Sequence, residues 1–124
     1  MKITGGYIIG MSVTVLTNVA AQLSLKKGTM HEAFVLDYLR PFESITSIFT
    51  NPFILLGLLC AFLSMASWIF VLSRAEVSVA FPVSTAMAFI VIALAAHFIF
   101  GETITVVRWV GIMLIIFGIV LASR

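Results

Sequence analysis

Thr14, Asn18, Gln22 and Lys26 recur every four residues inside an otherwise apolar run. On an α-helix that step keeps successive side chains on one slowly turning stripe. Side-chain amides find no partners in hydrocarbon, so the stripe must face protein or a wet cavity. Two roles fit. Asn and Gln can glue helices together, at about 0.6 kcal/mol per interhelical hydrogen bond. They can equally line a path for a polar substrate. Lys26 and Lys27 can snorkel to the headgroups at the helix end.

A second group of residues lies further along. Pro82, in "SVAFPVSTAMAF", removes one backbone donor and weakens a helix there. It is a static kink or a flexing point. The small residues Ser84, Thr85, Ala86 and Ala88 let a neighbour approach or a cavity open. Trp68 is core packing or an aromatic cavity wall. Arg74 is an interfacial anchor or a phosphate holder. His97 can exchange protons near neutral pH or make an ordinary hydrogen bond. Glu102 suits the N-terminus of the helix that follows it. Gly111 and Gly118, seven apart, share a face where backbones can meet, within the chain or between copies.

Several chemistries are missing. Cys60 is the single cysteine. His31 and His97 are far apart and belong to no zinc pattern. No phosphate loop, nucleophile elbow or HExxH is present, so no catalytic residue, metal or cofactor is expected. The net charge of +2 is too small to argue for nucleic acid.

What must position these residues is a membrane bundle. The chain has 124 residues, 62% of them hydrophobic and only 10% charged, with a mean hydropathy of +1.23. A soluble domain has about 25% charged residues. Helices of about 20 residues cross the hydrocarbon, and four runs qualify, at about 3–25, 53–72, 79–100 and 104–122. The expected fold is an all-α membrane protein of four transmembrane helices in one domain, residues 1–124. The short links "SRAEVS" and "GET" force antiparallel neighbours.

The longer first link, 28–52, carries Val35, Tyr38, Leu39, Phe42, Ile45 and Phe49 at three- and four-residue steps, with Glu32, Asp37, Arg40 and Glu43 between them. That pattern predicts a helical segment lying in the membrane interface between the first and second crossings. Pro41 breaks it or starts a second piece as its first residue. The opening residues imitate a signal peptide, but the apolar run continues through Leu25. Lys2, Arg74 and Arg124 fall on one side of the membrane. Lys26, Lys27, Arg40 and Arg108 fall on the other, which leaves orientation almost unbiased.

"AAQLSLKKG", "VSVAFPV", "GET" and "WVGIMLIIFGIVL", in this order and spacing, resemble a four-helix member of the drug/metabolite transporter superfamily. Small multidrug resistance exporters in that superfamily carry a glutamate eight residues before a lysine in the first helix. Here that position is Asn18, and an amide cannot exchange a proton for a cation. Gln22, Lys26 and the stretch 78–82 are more similar to the small subunits that flip undecaprenyl-phosphate-linked aminoarabinose across the inner membrane.

That resemblance implies a transporter of a lipid-linked sugar, multi-pass in the bacterial inner membrane. It would be a homodimer or a heterodimer with a similar small subunit. Its expected substrate-binding residues are Thr14, Asn18, Gln22, Lys26, Trp68, Arg74, Ser84 and Thr85, with Pro82 as hinge. A small-molecule exporter and a membrane scaffold for an enzyme partner are the rival expectations.

Overall fold

The computed structural model describes residues 5–31, 37 and 39–122. Glu32, Val35 and Tyr38 of the first link lie outside the described residues, as do Lys2 and Arg124. Five helices are described: α1 (Gly5–Thr29), α2 (Pro41–Thr50), α3 (Pro52–Leu72), α4 (Val77–Phe100) and α5 (Val106–Ala122). Among the described residues there is no strand.

α1 runs four residues beyond the expected Leu25 and carries Lys26 and Lys27 in its last turn, where cations complement the helix dipole. Pro41 opens α2 as a first-turn proline. The loop before it is tied by Ser44, which accepts from the Asp37 N–H at 3.0 Å and donates to the Arg40 carbonyl at 3.1 Å. Asn51 separates α2 from α3 and caps α3, its Oδ1 accepting from the Phe53 and Ile54 N–H groups. Pro82 sits inside α4, which continues through it. Gly101 then reverses the chain at φ 66°, a left-handed turn that glycine takes without steric cost.

α1, α3 and α4 are each long and apolar enough to cross a membrane. α5 is shorter, 17 residues against the run of 104–122 expected from sequence. At 1.5 Å per residue it covers about 26 Å, at the short limit for a crossing. The loss is at its start. Residues 102–105 follow the Gly101 reversal outside the helix, and the Thr105 hydroxyl accepts the Arg108 N–H at 3.4 Å.

α1 packs mainly on α3 and less on α4, while α5 touches only α4 among the described helices. The core is small: Met11, Val15, Val19, Val71 and Ala80. Most large apolar side chains face outward, Phe98 at 80% and Val107 at 81% exposure among them. In water this surface would aggregate; in lipid it is solvated.

The α1–α3 contact is close and hydrogen-bonded. Ser64 Oγ donates to the Thr14 carbonyl at 3.0 Å, and Ser67 Oγ donates to the Gly10 carbonyl at 3.1 Å. Near the other end Asn51 Nδ2 donates to the Gly28 carbonyl at 2.9 Å. These bonds fix the register of α1 on α3, and so the height of Thr14 and Asn18 against Ser64 and Trp68.

Candidate functional site

A cavity of about 450 Å³ opens between α1, α3 and α4. α1 contributes Thr14 and Asn18. α3 contributes Ala61, Ser64, Met65 and Trp68. α4 contributes Phe81, Ser84, Thr85, Ala88, Phe89 and Ile92. Five of the eight substrate-binding residues expected from sequence, Thr14, Asn18, Trp68, Ser84 and Thr85, thus share one space.

The hydroxyl protons in this cavity are already used. Thr14 Oγ1 donates to the Gly10 carbonyl at 2.8 Å and Ser64 Oγ to that of Thr14. Ser84 and Thr85 both donate to the Phe81 carbonyl, at 3.0 and 2.8 Å. Their oxygens are left to accept from an occupant. The Asn18 amide has no hydrogen-bond partner among the described residues, although it faces this cavity halfway along α1. Trp68 and Phe81 meet edge to face at 6.3 Å and form an aromatic wall. No lining residue is charged.

The stripe on α1 divides. Each four-residue step advances about 40°, so Lys26 stands about 120° round from Thr14. Gln22 is accordingly exposed and absent from the cavity lining, in contrast to its expected place beside Asn18. Lys26 lies at the far end of α1, with its Nζ 3.9 Å from Glu102 Oε1. Arg74 lies at the opposite end, beside Gly6 and over the Phe70 ring at 4.8 Å. Lys27 sits over the Phe53 ring at 4.6 Å.

Glu102 does not cap α5. It precedes the first residue of α5 by four positions, and that helix has no acidic residue in its first turn. The Gly101 turn instead directs Glu102 back toward α1, and His97 Nδ1 lies 2.8 Å from the Glu102 carbonyl oxygen. Gly111 and Gly118 make no close helix contact among the described residues, since a Cβ at either would meet nothing within 4 Å. Gly10, Gly28 and Gly57 are the glycines at close approaches. A Cβ at Gly28 would stand 2.5 Å from Ile54 Cγ1, and one at Gly57 would stand 2.7 Å from Leu25 Cγ.

The sequence reasoning missed Ser64, Ser67 and Asn51. Two serines three apart in an apolar helix, and an Asn-Pro step before one, were the available signals.

Fold and surface define a multi-pass, all-α membrane protein. Residues 45–124 match the model of the EamA-like transporter family, and the chain belongs to that family. It is 44% identical over 62 residues to a probable 4-amino-4-deoxy-L-arabinose-phosphoundecaprenol flippase subunit ArnE of Pseudomonas fluorescens, a match covering 50% of this chain and 54% of that protein. The similarly named protein of Pseudomonas aeruginosa is 35% identical over 64% of this chain and 68% of its own length. That of Serratia proteamaculans is 32% identical over 95% of both chains. No solved structure matches.

Proposed function

We propose that the chain is a transporter subunit that moves a lipid-linked sugar, a polyprenyl-phosphate glycoside, across the bacterial inner membrane. The observation that carries this reading is the free Asn18 amide in a cavity lined by hydroxyl oxygens and an aromatic wall. Hydroxyl-rich or amino-bearing head groups are donors, and this lining offers acceptors together with one amide that both donates and accepts. Relatives named as flippase subunits support the same substrate class. Their description as subunits supports a pair, either two copies or this chain with a similar small one.

In this reading Asn18 and Thr14 receive the head group, and Ser84, Thr85 and Trp68 complete its surroundings. Lys26 and Arg74 meet phosphate at opposite ends of the crossing. α4 flexes at Pro82, where the Ser78 carbonyl lacks its usual helical donor. Proton-coupled cation export is the weaker alternative, because the cavity holds no carboxylate to exchange a proton.

The test is head-group translocation in proteoliposomes with a fluorescent polyprenyl-phosphate sugar. Asn18→Ala is expected to lower the rate about tenfold, the effect of one unmade hydrogen bond at the crossing. An unchanged rate in a folded variant would overturn the role of Asn18. Loss of an enzyme partner from the purified complex, with no translocation by either protein, would favour a scaffold.

A further inference from the structure

A second hollow, about 350 Å³, runs between α4 and α5. Its walls are apolar: Ile92, Ala93, Ala96, Ile112 and Ile115 are among them. On α5 it extends from Arg108 to Ile115, about 10 Å of helix, less than the depth of one leaflet. At its outer end stand Glu102 and Arg108.

These two charges are not equivalent. The Glu102 carboxylate already has Lys26 at 3.9 Å. The Arg108 guanidinium has no hydrogen bond or ion pair among the described residues, and only its backbone N–H is engaged. With Lys26 nearby, the mouth keeps a surplus positive charge that an anion would balance. Inward, the hollow meets the polar cavity, because Phe89 and Ile92 line both. Gly111 forms part of its wall, and a Cβ there would enter open space.

We propose that this groove is the seat of the substrate's lipid chain, with Arg108 holding the phosphate at its mouth. This rests on the translocation reading above and adds to it a division of labour. The polar cavity takes the head group, and the α4–α5 groove takes the apolar chain in one leaflet. Phe89 and Ile92 form the partition that a head group passes while its chain stays in hydrocarbon. The occupant is an amphiphile with a flexible chain and one phosphate. A free sugar leaves the apolar wall without a partner, and an organic cation leaves Arg108 without one.

The experiment is photolabelling of the purified full chain, with any co-purifying subunit, in phosphatidylethanolamine–phosphatidylglycerol nanodiscs. The probe is a polyprenyl phosphate with a diazirine in its first isoprene units. Labels are expected on residues 89–96 and 108–115. Gly111→Leu projects a side chain from the groove wall, at a position where the Cβ itself meets nothing within 4 Å, and it should cut labelling about tenfold, as displacing two buried methylenes would. Arg108→Gln should cut it too, while Gly118→Leu, on the same helix outside the groove, should not.

Labels on other helices, unaffected by Gly111→Leu while translocation continues, would overturn the groove and leave the transport reading intact. Full displacement by excess phosphatidylglycerol would overturn it in favour of a resident-lipid site. Unchanged labelling with an altered oligomeric state in Gly111→Leu would overturn it in favour of a second copy. Neither labelling nor translocation would overturn both readings together.

Discussion

At Gly28 and Gly57 of the α1–α3 seam a single methyl has nowhere to go, whereas at Gly111 and Gly118 of α5 a methyl would meet nothing within 4 Å among the described residues. Apolarity does not explain the difference, since α1 on the seam is much less apolar than α5. In lipid the hydrophobic effect does not press helices together, so close packing and hydrogen bonds decide which pairs hold. The seam has both: Gly28 under Ile54, Gly57 under Leu25, and donors from Ser64, Ser67 and Asn51 to carbonyls of α1. Among the described residues α5 has no glycine at a close approach and no side-chain hydrogen bond to another helix, and it rests on α4 alone. One region is built to stay fixed. The other leaves a groove and an exposed face that something outside the chain must cover.

The sharpest way to break this contrast is to insert one methyl into the seam. Gly28→Ala and Gly57→Ala are each expected to destabilise the fold by about 1–3 kcal/mol, the cost of overpacking. The clash at Gly28 includes the Ile54 backbone nitrogen at 3.1 Å, and that at Gly57 the Ala21 carbonyl oxygen at 3.1 Å, so side-chain rotation alone relieves neither. Reversible unfolding in mixed micelles measures this. Wild-type stability in both variants would mean that the seam is as loose as α5.

Asn51 comes next. Asn51→Ala removes the cap of α3 and the bond to the Gly28 carbonyl, an expected loss of about 1–2 kcal/mol. Asn51→Asp keeps the cap acceptor but cannot donate to that carbonyl. It should recover only part of the loss. Full recovery would assign Asn51 to α3 alone and weaken the seam as a unit. Ser64→Ala is a smaller probe, about 0.6 kcal/mol for one interhelical bond.

Why the sequence misplaced the close contacts follows from the same contrast. Gly111 and Gly118 share one helix, so their spacing is visible along the chain. Gly28 and Gly57 face side chains of the opposite helix, and that pairing exists only once α1 and α3 are in register. Four apolar runs were legible because length and hydropathy are local properties. Asn18 was legible as a polar group needing a partner other than lipid. The departure of Gln22 from the cavity was not, because it depends on where the neighbours end around a turning stripe.

The smallest expected effect is also the one that distinguishes an empty face from a covered one. In the single chain, Gly118→Ala adds a methyl to open space and replaces glycine with a better helix former, worth up to about 1 kcal/mol. Stability under dilute, monomeric conditions should therefore be unchanged or slightly raised. A loss there would mean that α5 packs within the chain more closely than the seam contrast allows. The same variant measured in membranes at high protein density reports on the pair. If the exposed face of α5 lies against a second subunit at close range, the added methyl pushes the two apart. Self-association then weakens while monomer stability does not. If both are unchanged, the face of α5 at Gly118 is covered by lipid, and any pairing must use another helix.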